Sequence, residues 1–249
     1  MTSYSARYER GEHDEVWSEL RELGSAALRA PIREDAEAVA RAMALRARHN
    51  IELLVERLTG AGYDFHSNND DRSVRPAHTP PTAEAAGLVD WLEEQAGPVP
   101  LTVAAWIREV GDVWLVGDHP QWPTSELADP LVVEFEHSAY TDHDVRDYYA
   151  DELQVWRENQ DDDAAARPFE IVFAPDDLHK ANISGGAPYG VLLPAVAADA
   201  LVATPHVYFV DYLNSAFAAG GFPGGLVTEG FEQPPAGLRE NLARDLLRL

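Results

Sequence analysis

"LVDWLEEQAGPVPLTVAAWIREVGDVWLVG", residues 88–117, decides how this chain is read. Leu88, Trp91 and Leu92 share one face of a helix, and Gly97 followed by Pro98 stops it. Leu101, Ala105, Trp106 and Val110 make a second helical stripe, with Gly111 past its end. "DVWLVG" then turns to the Val-rich, aromatic composition of a strand. Downstream, "PLVVEF" at 130–135, "FEIVF" at 169–173 and "YGVLLP" at 189–194 also read as strands. Residues 141–156 read as a helix with Thr141 and Asp144 as its capping box. Residues 205–221 read as a helix ended by Gly220 and Gly221, and Leu238, Leu242 and Leu246 mark a last one. Helices and strands mix without a sustained strand–helix alternation. The expected class is therefore α+β: a mixed, mainly antiparallel sheet with flanking helices.

Upstream, residues 1–66 read as a helical hairpin. Val16, Trp17, Leu20, Leu23 and Ala27 form its first stripe. Ala36, Val39, Ala40, Met43, Ala47, Ile51, Leu54 and Leu58 form its second, which starts at Pro31 and Asp35. Arg41, Arg46, Arg48 and Arg57 lie along that helix and are expected to face carboxylates or water. Residues 67–82 are rich in Asn, Asp and Pro and nearly free of apolar side chains. They are read as a linker or long surface loop, with an α+β domain at 83–249.

The chain has 249 residues, of which 45% are hydrophobic and 25% charged, and its formal net charge is −24. Such a surface repels nucleic acid and anionic membrane, whose phosphates need Lys and Arg, and suits a basic protein partner or a cationic ligand. Absence of cysteine excludes disulfides, thiolate metal sites and a Cys nucleophile. The polar start carries no secretory signal and no apolar run is long enough to span a bilayer, so a cytoplasmic location is expected.

The 88–117 stretch resembles the opening of SUKH-superfamily domains, a group of bacterial toxin-immunity and yeast cell-wall-regulator-like proteins. Glu93, Glu94, Gly97, Pro100, Trp106, Gly111 and Trp114 occupy positions of the kind that opening uses, although Pro100-Leu101 reverses the usual Leu-Pro order. "YFVDYLNSAFAAGGF" looks like the aromatic helix that often closes such domains, so the resemblance covers residues 83–222. It implies a protein-binding module, and an immunity protein that neutralises a toxin.

Candidate chemistry concentrates in three places. "DDLHKANISGGAPYG", 176–190, holds the only lysine. Its glycines do not have Walker-loop or dinucleotide-loop spacing. It reads as a hairpin-like turn with positive φ at Gly185, Gly186 or both, or alternatively as a ligand loop presenting Asp176, His179, Lys180, Asn182 and Tyr189. "VGDHPQWP", 116–123, reads as a turn with Trp122 on the core, or as a loop in which Asp118 and His119 act as base or metal ligand. An enzyme built on the 117–122 and 176–190 loops is the alternative function. No metal-binding spacing occurs, and no metal, cofactor or catalytic residue is assigned. The third place is Glu134–Asp163, with eleven Asp or Glu and two Arg. Tyr149, Leu153 and Trp156 share a stripe expected to be buried. Asp144, Asp147, Tyr148, Asp151 and Glu158 are expected on solvent as the partner-binding face.

Overall fold

The chain opens with two short helices, α1 (Tyr4–Glu9) and α2 (His13–Glu22), then a 3-10 turn and the long α3 (Arg33–Gly60). The structure, a computed structural model, describes residues 3–137, 144–160, 168–223 and 234–249. The first arm of the expected hairpin is broken at Gly11, whose φ is +95°. Asp35 holds the two ends of this unit together. Its carboxylate accepts the backbone N–H groups of Tyr4 (2.5 Å) and Ser5 (3.0 Å), which the first turn of α1 leaves without helical partners. The predicted stripe of α3 is buried throughout.

The arginines of α3 divide. Arg41 pairs with Glu109 at 2.7 Å and Arg48 with Glu52 at 2.9 Å, as expected of them. Arg46 instead donates to the Arg248 carbonyl, and Arg57 to the carbonyls of Leu242 and Arg244. Asn50, fully buried, exchanges two hydrogen bonds with the backbone of Leu247. Asn214 likewise accepts from the backbone N–H of Leu249 at 3.0 Å. The last residues are thereby satisfied by side chains rather than by a sheet.

Beyond α3 come β1 (Asp64–Phe65) and β2 (His78–Thr79), then α4 (Ala85–Ala96) and α5 (Leu101–Glu109). Leu101 to Ile107 are all buried, Thr102 included, so most of α5 runs through the interior against α3. Next are β3 (Asp112–Trp114), β4 (Gly117–Asp118), a 3-10 turn at Ser125–Ala128 and β5 (Val132–Val133). The rest comprises α6 (Val145–Glu158), β6 (Phe169–Ala174), α7 (Asp177–Lys180), β7 (Tyr189–Leu193), β8 (Leu201–Val202), β9 (Val207–Tyr208), α8 (Phe209–Ala218) and α9 (Leu238–Ala243).

The strands form three groups, β1-β4, β2-β3-β5 and β6-β7-β8-β9. Every pairing among the described strands is antiparallel. Glu134, directly after β5, donates its N–H to the Phe173 carbonyl (2.8 Å), which ties the end of β5 to β6. The fold is the expected α+β arrangement of antiparallel sheets with helices, preceded by a helical region. Among the described residues no helix is long and apolar enough to cross a membrane.

Four expectations change. Residues 67–82 are not a plain connection. Asp70 to Val74 are exposed, but Arg75 and Ala77 are buried and His78–Thr79 pairs with β3. Among the described residues nearly all buried apolar side chains belong to one cluster running from Tyr8 to Leu249, so the N-terminal helices and the later elements share a core. The 205–221 stretch begins as strand β9 and becomes helical only at Phe209. Gly185 and Gly186 lack positive φ; the left-handed residue of that loop is Asn182, φ +57°.

Gly111 explains why β2 can lie where it does. Its φ is +86°, and a Cβ there would sit 2.2 Å from the Thr79 carbonyl oxygen. Trp106 donates its indole N–H to the Gly111 carbonyl at 2.8 Å. The glycine between α5 and β3 is thus a point of close backbone approach as well as a helix stop.

Candidate functional site

Asp144 caps α6 with its own side chain, accepting the Arg146 N–H at 3.0 Å and the Arg146 guanidinium at 2.7 Å. Both bonds favour the ionised form and hold its carboxyl below the ordinary range. Thr141, the other half of the expected capping box, lies outside the described residues, as do Asp142 and His143. Val145, Tyr149 and Leu153 are buried, and Trp156 is half-buried against the Phe169 ring. The opposite side of α6 carries Asp147, Tyr148, Asp151, Glu152, Val155 and Glu158, all exposed. Tyr148 is 45% and Val155 52% exposed, and with Asp151 and Glu152 they follow three-four spacing along one outward stripe. Glu158 accepts from Gln154 at 2.8 Å. Among the described residues Asp147, Asp151 and Glu152 make no ion pair; Asp144 alone of the expected set is engaged by an arginine.

The lysine loop is built differently from its expected form. Asp176 accepts the backbone N–H groups of Leu178 and His179 and pairs with the His179 ring, which winds 177–180 into α7. That turn drives Lys180 inward to 0% exposure. Its ammonium lies 2.5 Å from Asp129 Oδ1, while Tyr189 donates its hydroxyl to Asp129 Oδ2 at 2.9 Å. The ammonium also sits 4.7 Å from the centre of the Tyr189 ring. Burial lowers the Lys180 pKa against the opposing pull of Asp129, and burial raises that of Tyr189. Lys180 is therefore an interior counter-ion and not a loop donor. His179 stays half open at the surface and Asn182 is exposed.

Asp118 and His119 part company. The His119 Nδ1 accepts the Gln121 N–H at 3.1 Å, and Trp122 donates its N–H to the His119 carbonyl at 2.8 Å. Trp122 is buried against Phe222. This half of the loop is a closed turn on the core. Asp118 lies beside His66, with its Oδ2 3.2 Å from the His66 Nε2, and it pairs with Arg72. Arg72 also reaches Glu126 at 3.1 Å. One ligand atom from each of His66, Asp118 and Glu126 lies within 4.8 Å of the others.

The two candidate loops do meet, through a stretch the sequence assigned no chemistry. Asn68 donates to the His179 carbonyl at 2.9 Å, and Asn182 donates to Asp70 at 2.7 Å. Arg72 and His66 hold the Asp118 side. Residues 66–72 therefore lie between the two loops. His66, Arg72, Glu126 and Asp129 were all missed by sequence reasoning, because their partners are distant in the chain. A cleft of about 260 Å³ opens beyond Asp129, lined by Tyr189, Val207, Asp211, Tyr212 and Ser215.

Comparison with protein-family models, curated proteins and solved structures returns no significant match.

Proposed function

We propose that this chain is an acidic protein-binding module that captures a basic protein through α6. The observation that carries the reading is the outward stripe of α6. Three carboxylates without internal ion pairs among the described residues flank two exposed apolar side chains, Tyr148 and Val155. Long-range charge steers a basic partner toward such a face, and aromatic and aliphatic side chains anchor it on contact. A formal net charge of −24 extends the same field over the whole surface. The likeness of 83–222 to SUKH domains supports an immunity role, with a basic toxin as the partner and the cytoplasm as its place of work.

The enzyme alternative needs His119 beside His179 or Lys180. His119 is engaged by Gln121 and Lys180 by Asp129, which favours the binding reading. The test uses the whole chain as bait in host extract, beside a variant carrying Asp147→Lys, Asp151→Lys and Tyr148→Ala. A basic protein retained by the native bait, released by salt and lost with the variant is the expected result. Equal retention by both baits would remove α6 from the reading.

A further inference from the structure

We propose that His66, Asp118 and Glu126 form a binding site for a divalent first-row transition ion such as zinc, which Arg72 closes when no ion is bound. Nothing in the α6 reading is needed for this.

The imidazole supplies the clearest sign. His66 is 6% exposed, and its Nδ1 lies 2.7 Å from the Ser67 carbonyl oxygen. A carbonyl only accepts, so the proton is on Nδ1. The other ring nitrogen, Nε2, then faces Asp118. Nε2 makes no hydrogen bond, and neither does the buried Oδ1 of Asp118. Nε2 and a carboxylate oxygen thus lie 3.2 Å apart with no hydrogen bond made by Nε2, and a second carboxylate is within reach. Buried polar atoms left without a hydrogen bond, gathered beside two carboxylates, call for a cation. The Nδ1–H to carbonyl bond is also the device that fixes tautomer and ring orientation in metal-bound histidines.

Each ligand is held by backbone pairing. His66 follows β1, donates its N–H to the Val116 carbonyl and accepts the Trp114 indole N–H at 2.8 Å. Asp118 lies in β4, opposite Asp64. Glu126 sits in the 3-10 turn, whose Ser125 hydroxyl donates to the Gly117 carbonyl at 2.8 Å. Three ligands on three elements joined through β4 are pre-positioned.

One nitrogen and two carboxylates suit zinc or a similar first-row ion better than calcium or magnesium, which prefer oxygen throughout. Asp118 and Glu126 set two carboxylates against one guanidinium, an excess of negative charge. Arg72 meets that excess with a side chain 47% exposed. Such a group can swing out to water and free both carboxylates. A dication takes them together with His66, which a guanidinium does not engage as a ligand.

The chain is stripped with chelator, then titrated with Co²⁺ by visible absorption and with Zn²⁺ by calorimetry. His66 is buried and its loss endangers the fold, so the variants are Asp118→Asn, Glu126→Gln and Arg72→Ala, each checked by circular dichroism. One equivalent bound by the native chain is expected. Either carboxamide variant should bind roughly 10–100-fold more weakly, and Arg72→Ala more tightly. Binding unchanged in both carboxamide variants would mean ions scattered over an acidic surface and would sink the proposal. So would no binding in either the native chain or Arg72→Ala. Binding in Arg72→Ala alone would make Arg72 the resident cation and overturn it equally.

Discussion

Lys180 and Asp129 form an interior ion pair, 2.5 Å between Nζ and Oδ1, in which neither side chain is appreciably exposed. Asp129 adopts φ +54°, so the backbone itself turns the carboxylate toward the lysine and the Tyr189 hydroxyl. Removing one partner leaves a buried charge uncompensated. Lys180→Met should cost about 3–5 kcal/mol in chemical denaturation. Adding Asp129→Asn should recover much of that loss, because the double variant buries no charge. A single variant within about 0.5 kcal/mol of the native chain would show that the pair is open to water.

Gly111 is the second test of the interior. Alanine there meets both an unfavourable positive φ and the Thr79 carbonyl. Gly111→Ala should lose roughly 2–4 kcal/mol and loosen β2 from β3. Hydrogen exchange at Trp114, whose N–H bonds to the Ala77 carbonyl, reports that loosening. Gly11→Ala is the control: its φ is also positive, but nothing lies within 4 Å. It should cost less, through backbone strain alone.

Glu134 gives the fold a pH dependence of definite sign. It is buried beside Arg75, and burial, reinforced by Asp112, pushes its carboxyl up to about 8, against the pull of Arg75. The folded state then binds a proton that the unfolded chain releases near pH 4.5. Its contribution is present below that unfolded value and is lost as pH rises through about 8. Glu134→Gln removes the titration. The native chain should lose more stability than the variant between pH 5 and pH 8, by a margin on the order of 1–4 kcal/mol. Parallel pH profiles would show Glu134 ionised throughout.

What the sequence revealed was periodicity. The stripes of α3, α4 and α5 and the buried face of α6 all follow local spacing, which neighbours in space leave undisturbed. The outward set of Asp147, Tyr148, Asp151 and Glu158 was legible for the same reason, since a helix with one apolar face must turn the other outward. Long-range pairing was not legible. Polar, Pro-rich residues 67–82 looked unable to bury anything, yet Arg75 is buried with Glu134 and over the Trp114 ring, 3.6 Å from its centre. Lys180 looked like a loop residue because nothing in 176–190 announces Asp129. Asp118 was singled out, but beside the wrong histidine. Adjacent strand-end residues point in opposite directions, and His66 reaches Asp118 only because β1 pairs with β4.

The α6 face makes a kinetic prediction. Opposite charges steer encounter over a Debye length of about 8 Å at physiological salt, while short-range packing sets the lifetime of the complex. Replacing Asp147, Asp151 and Glu158 by Lys should therefore slow association far more than it speeds dissociation, and the difference should shrink as salt rises. Tyr148→Ala should do the reverse, raising the dissociation rate with little change on approach. The fold should survive the charge reversals, because exposed ion pairs contribute only ~0–1 kcal/mol each. Asp147→Lys adds a small loss, since a cation in the first helical turn opposes the helix dipole. Stopped-flow binding of the captured partner across a salt series separates the two effects. Association rates unchanged at low salt would make the carboxylates of α6 a solubilising surface and leave the basic-partner reading without its physical basis.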